Sequence, residues 1–367
     1  MTRLIYGLPS VVGSSSNQVY PGMRRYSLFF TLYGNWTIPV DRTGTISMPV
    51  RDLSLFPIPK FRPFKKTFEE LCDERALHVL AGAEKISAPM YVLYSGGIDS
   101  TCLLVSLLKQ ATPEQKENIT VLLSHESIAE NPRFYEEHIR GKLRVGSSIS
   151  FPERIGEDCC LVSAEHNDMV MGSEKIGTMM ARYGPKSIHE SYSRDTIAGL
   201  FSAILGEKDA DMAHFYVDLF ERVRAAAPVP IETNMDFLWW ANFAVKWQSC
   251  FHYILLFTPP RNAHKVTQEY LDKRFISFYN TDEFQLWSMN NLDKRIRDTW
   301  KSYKWVLKDI IYDYTKDAEY RDNKTKVRSL PIVLKQQDMP HRFLDEHMRF
   351  SNDLAPETYL EPVNDFA

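Results

Sequence analysis

The chain has 367 residues, enough for two or three domains with a sizeable core. Its hydrophobic content of 44 % and charged content of 25 % are those of a folded globular protein. A net charge of −3 and a pI near 6.4 lay down no cationic footprint, so nucleic acid is not an expected partner.

The five cysteines (Cys72, Cys102, Cys159, Cys160 and Cys250) form no C-x-x-C and no metal-like spacing, which points to a reducing interior. Cys159 and Cys160 lie in an apolar stretch and read as core. The longest apolar run, residues 251–257, is too short to span a bilayer and is interrupted by His252. The first six residues lack a signal-peptide core. A cytoplasmic location without membrane association is the expectation.

In chain order, residues 1–85 read as a β-rich N-terminal appendage. Gly13 and Ser14 to Asn17 mark a loop, 26–33 a strand, Gly34-Asn35 a turn, and 36–40 a partner strand. Pro57, Pro59 and Pro63 make an extended linker. A helix is expected over 67–81, with Thr67 as cap and Glu70 three residues on. From residue 88 the pattern alternates: strand 90–94, helix 100–110, strand 119–124, a helix over 133–142 opened by Pro132, then strand 159–163. Such alternation predicts an α/β fold with a parallel sheet flanked by helices and ligand contacts at the strand C-termini. Beyond Tyr192 helices are expected over 195–205, 210–225, 233–257, 266–274, 293–300 and 303–314. Residues 86–330 read as one α/β domain with a helical second half, and 331–367 as an irregular C-terminal tail docked on the surface. Phe237, Trp239, Trp240, Phe243, Trp247 and Phe251 recur at helical spacing and read as core, with Asp236, Asn242 and Lys246 as weaker cleft candidates.

The chemistry concentrates in Ser95-Gly96-Gly97-Ile98-Asp99-Ser100, between a buried strand and a helix. Glycines there let the backbone close on an anion, and the helix N-terminus adds partial positive charge. Neither Gly-x-Gly-x-x-Gly nor Gly-x-x-x-x-Gly-Lys is present. The hexapeptide resembles the phosphate loop of the ATP pyrophosphatases (PP-loop superfamily). That resemblance implies a Rossmann-like fold, ATP as co-substrate, and Ser95, Gly96, Gly97, Asp99 and Ser100 holding the departing pyrophosphate. Ser124 and His125, after the second strand, are further nucleotide candidates.

A second motif, Ser163-Ala164-Glu165-His166-Asn167-Asp168-Met169-Val170-Met171-Gly172, follows the third strand. Two carboxylates three residues apart at a strand end can serve Mg²⁺, which prefers hard oxygen ligands. Loop, insertion and Glu-x-x-Asp-x-x-x-Gly together resemble the synthetase domain of asparagine synthetases and the related β-lactam synthetase. The sequence keeps Glu165, Asp168 and Gly172 but departs from that family at Ala164, His166 and Met169. The resemblance implies Asp99 and Asp168 as Mg²⁺ ligands and Glu165 as acid/base. It also implies Lys304 and Lys308 as charge-stabilising catalytic residues, with Lys324 and Lys326 in a late basic segment. Thr2 stands where glutamine-dependent relatives carry a cysteine nucleophile, so ammonia, another amine or a separate nitrogen-donating subunit is expected.

The implied function is an ATP- and Mg²⁺-dependent carbon–nitrogen ligase that adenylates a small-molecule carboxylate and transfers it to an amine. Two alternatives stand beside it: a PP-loop enzyme modifying a nucleobase or tRNA, and a nucleotide-binding protein without catalysis.

Overall fold

A computed structural model describes residues 2–8, 22–33, 39–353, 361 and 363–367. Among these the strands are β1 (Leu4–Gly7), β2 (Met90–Leu93), β3 (Ile119–Leu123), β4 (Arg144–Ser147), β5 (Cys160–Ser163), β6 (Phe275–Ser277), β7 (Phe343–Asp345) and β8 (Phe350–Ser351). The chain divides into two compact units, each made of separate lengths of chain. Unit 1 comprises Met1–Arg62, Asp168–Leu256 and His341–Ala367; unit 2 comprises Pro63–Asn167 and Phe257–Pro340. The sequence led to three consecutive segments instead, because nothing in composition marks a chain that leaves a unit and returns.

Unit 2 is α/β. Its five strands are all parallel, in the order β4-β3-β2-β5-β6. β2, β3 and β5 are almost wholly apolar, as strands covered on both faces must be. From β2 the chain steps outward through β3 to β4, then crosses back to β5 on β2's other side and on to β6. The order therefore reverses between β2 and β5, and in open parallel sheets the crevice at such a reversal is the usual ligand position. Helix Ile98–Gln110 follows β2 directly. Helix Phe68–Lys85 opens with the expected capping box: Thr67 accepts from Glu70 N, and the Glu70 carboxylate accepts from Thr67 N.

Two strands of this sheet were not anticipated. β4 is a largely exposed edge strand with no apolar alternation, and β6 has only three residues. The expected helix 133–142 is a short turn, Pro132–Phe134, continued by a π-helical segment, Tyr135–Ile139. The expected helix 293–300 is replaced by a 3₁₀ turn, Leu292–Lys294, after which the fully buried Arg295 turns inward to donate to the Ser288 carbonyl. Helices Glu174–Tyr183 and Asp282–Asn290 were also missed.

Unit 1 carries an antiparallel sheet in the order β1-β7-β8 and helices Met23–Tyr33, Glu174–Tyr183, Arg194–Leu205, Ala213–Ala225 and Asn234–His252. Residues 26–33 were expected as strand, giving a β-rich appendage; they are helical. The buried side chains Met23, Tyr26, Phe29, Phe30 and Leu32 follow the three-to-four spacing of a helix face, not the alternation of a strand. The 13–17 loop and residues 34–38 lie outside the described residues. The C-terminal tail is also corrected: 329–335 is helical and β7 is the middle strand of its sheet, with Phe343 and Leu344 buried. Phe237, Trp239, Trp240, Phe243 and Trp247 are buried as expected. Asp236 serves as helix cap partner to Thr233, Asn242 donates to the carbonyls of Asp168 and Gly172, and Lys246 lies 3.6 Å from Glu174. All five cysteines are buried and none is joined in a disulfide. Among the described residues no helix is long and apolar enough to cross a membrane.

Candidate functional site

The site is built on the turn between β2 and helix Ile98–Gln110, within unit 2. Gly96 has φ +73°, a conformation that side-chain-bearing residues rarely adopt. A Cβ there would lie 2.3 Å from the Ser127 carbonyl oxygen and 2.9 Å from Glu130 Cβ, so helix His125–Glu130 packs directly on the glycine. Gly97 is the N-cap and has no side-chain cap bond. The turn is tied by its own serines: Ser95 N donates to Ser100 Oγ (3.1 Å), Gly97 N to Ser95 Oγ (3.2 Å), and Ser100 Oγ to Gly97 O (3.2 Å). From outside the turn, Tyr320 donates its hydroxyl to Gly96 O (2.8 Å) and Ser329 Oγ donates to Ser95 O (3.0 Å). The carbonyls are thus taken up by the protein. The amides of the first helical turn, which no helix carbonyl can satisfy, form the positive end of the helix.

Asp99 sits in that first turn. Its Oδ2 is 2.6 Å from Lys304 Nζ, its Oδ1 accepts from Asn167 Nδ2 (2.5 Å), and its carbonyl accepts from the Tyr279 hydroxyl (3.1 Å). Lys304 is itself buried, in a left-handed backbone conformation just before helix Trp305–Thr315. Asp99 and Lys304, each singled out separately in the sequence, are therefore brought together. Asn167 and Tyr279 were not predicted, although Asn167 stands inside the Glu-x-x-Asp motif.

A second cationic group lies beside Gly97. Glu130 is buried; its Oε1 is 2.5 Å from Lys324 Nζ and 3.9 Å from Lys326 Nζ, while its Oε2 accepts from Val327 N (2.9 Å). Burial holds the Lys324 ammonium below lysine's ordinary range, against the opposing pull of Glu130. A Cβ on Gly97 would stand 3.5 Å from Lys326 Nζ. Glu130 escaped notice in the sequence because it ends a short helix far from any motif.

The other predicted residues are more scattered in role. Ser124 caps helix His125–Glu130 through Ser127, and His125 is its first residue. Lys308 is buried and donates to the Lys301 carbonyl; burial and the nearby Lys324 charge lower its pKa. Glu165 is half-buried in the turn after β5, in unit 2. Asp168 belongs to helix Asn167–Met171 and is grouped with unit 1. His166 is fully buried against Ser277 Oγ (2.5 Å), Met169 is fully buried with its sulfur 3.7 Å from Cys250 Sγ, and Ala164 is buried too, so all three departures from the resembled pattern are interior positions.

Two clefts of about 440 Å³ each lie elsewhere in unit 2. One is lined by Gly156, Glu157, Asp158, Lys273 and Arg274, which precede β5 and β6. The other is lined by Ser87, Asn118 and Arg144, at the starts of β2, β3 and β4. Both therefore belong to the amino ends of the strands, and the glycine turn to the carboxyl ends.

The donors present fit a polyphosphate: a left-handed glycine, helix-terminal amides, and the ammonium groups of Lys304, Lys324 and Lys326. They also fit Mg²⁺ at Asp99. Each carboxylate oxygen keeps a second lone pair beyond the one used by Lys304 or Asn167, and Mg²⁺ completes its shell with water and phosphate oxygens. Comparison with protein-family models and with the curated proteins finds no match to this chain.

Proposed function

We propose that unit 2 binds ATP with its phosphates on the glycine turn and adenylates a carboxylate, releasing pyrophosphate, after which an amine or ammonia displaces AMP. The observation that carries this reading is the turn itself. It combines a glycine at φ +73° with a helix N-terminus, at the carboxyl end of a central parallel strand beside the reversal of strand order. Each of these favours a bound anion, and together they favour a phosphate chain.

In this reading the amides of Ile98 and Asp99 donate to the phosphates, while Ser95 and Ser100 hold the turn closed before the nucleotide arrives. Such preorganised donors stabilise charge as it develops on the leaving group. Lys304 supplies a buried ammonium next to Asp99, where it can neutralise negative charge on the adenylate. Mg²⁺, held by Asp99, would neutralise charge on the departing pyrophosphate. Lys308, bonded to a backbone carbonyl, is better read as shaping helix Trp305–Thr315 than as a second catalytic cation.

The test is incubation with Mg-ATP and pools of carboxylates and amines, with AMP, pyrophosphate and coupled product followed by mass spectrometry. AMP formation that requires both an acid and Asp99 supports the ligase. ATP binding with no AMP and no pyrophosphate exchange across the panel would favour the second reading, a nucleotide-binding protein without catalysis. What favours that alternative is that both Asp99 oxygens already take strong donors.

A further inference from the structure

A buried carboxylate is an odd neighbour for an anion-binding turn. Glu130 lies at the C-terminal end of its helix, where the backbone dipole is already negative. A Cβ on Gly97 would stand only 3.4 Å from its Oε1. Left alone, this charge would repel any phosphate at Gly96–Gly97. It is not alone: segment 324–329 crosses the turn, with Lys324 and Lys326 on one Glu130 oxygen and Val327 N on the other. The same segment's Ser329 bonds Ser95 O, and Tyr320, just before it, bonds Gly96 O. Two ammonium groups against one carboxylate leave a surplus positive charge facing the turn.

We propose that Glu130 is a positioning residue for the polyphosphate: it docks segment 324–329 over the glycine turn and keeps Lys324 cationic and aimed at the outer phosphates. This rests on the reading of the turn as the ATP phosphate site. Lys324 needs such help because it is buried. It also faces Lys326 on its own segment and Lys308 on helix Trp305–Thr315, both cations, with Asp99 on the turn helix as the other carboxylate acting on it. Removing Glu130 takes away the closest group opposing loss of that proton. Lys326, largely exposed, is free to turn from Glu130 to a phosphate oxygen.

The experiment measures binding of ATP and of inorganic pyrophosphate to the full chain by calorimetry between pH 6.5 and 9, for wild type, E130Q, E130D and K324M. E130Q is expected to bind both ligands at least about tenfold more weakly at pH 7.5, as loss of one member of a buried charge pair requires. The ratio of wild-type to E130Q affinity should widen as pH rises, because Lys324 loses its proton earlier in the variant; taking the ratio cancels ionisation of the ligand itself. K324M should show the weak binding without the widening, and E130D should fall between. If E130Q does not fold, the same comparison is made with E130D. E130Q, or failing that E130D, with wild-type affinity and wild-type pH profile overturns the proposal. Wild type that binds neither ATP nor pyrophosphate overturns the phosphate reading instead.

Discussion

Lys304 holds Asp99 from a left-handed backbone: its φ is 60° and its Nζ lies 2.6 Å from Asp99 Oδ2. A lysine in that region carries strain of about 1–3 kcal/mol, which persists only where surrounding contacts over-determine it. Here the Lys304 amide is fixed on the Arg295 carbonyl (2.8 Å) and the ammonium on Asp99. Strain placed where a cation meets the glycine turn accords with the proposed phosphate site.

Asp99→Asn should lower AMP formation by roughly 10²-fold or more, the usual loss for one preorganised charge-stabilising group. Lys304→Met should do the same with ATP affinity less affected, because in the proposed reaction its charge is needed most as the adenylate forms. Steady-state and single-turnover AMP release, measured on both variants, separates binding from chemistry. Wild-type turnover in Asp99→Asn would end the ligase reading.

Gly96→Ala tests the turn without touching a charge. Its Cβ would stand 2.3 Å from the Ser127 carbonyl, and φ +73° would be retained only under strain. Destabilisation of about 2–4 kcal/mol is expected, together with loss of nucleotide binding. Urea denaturation gives the first and calorimetric titration with ATP the second.

The Thr67 cap predicts a purely structural effect. Thr67→Ala removes the acceptor for Glu70 N and should cost about 1 kcal/mol, with pyrophosphate exchange unchanged in the folded protein. The shift in urea midpoint checks the magnitude.

His252, fully buried in unit 1, has its pKa lowered from 6.5 to about 3 by burial. The unfolded chain takes up a proton near pH 6.5 that the folded chain refuses, so stability is full above that pH and falls as pH drops from 6.5 toward 3. The slope from this one group approaches about 1.4 kcal/mol per pH unit. His252→Asn, which cannot titrate there, should flatten the decline in urea midpoint between pH 6.5 and 4 relative to wild type. Parallel declines would show that His252 does not carry it.

What could be read in advance was whatever is local. The glycine turn was legible because strand, Gly-Gly and helix are consecutive, and the Thr67–Glu70 box because its spacing is its mechanism. β2, β3 and β5 announced themselves as apolar runs. β4 did not, since an exposed edge strand has no apolar alternation, and helix Met23–Tyr33 was misread because a dense aromatic tract fits both periods. Glu130, Asn167, Tyr279 and Tyr320 were invisible for a different reason: their roles exist only once distant lengths of chain meet. Lys304 was found only through a motif resemblance, and nothing in its own surroundings foretold the left-handed backbone.

The cations and hydroxyls gathered around the glycine turn (Lys304, Tyr320, Lys324, Ser329) all belong to the second stretch of unit 2, Phe257–Pro340, whereas the turn itself belongs to the first. During synthesis the glycines therefore leave the ribosome long before their partners do. A nascent or truncated chain ending near Phe257 would carry a half-built turn, with Asp99 and Glu130 lacking their lysine partners until the second stretch had been made.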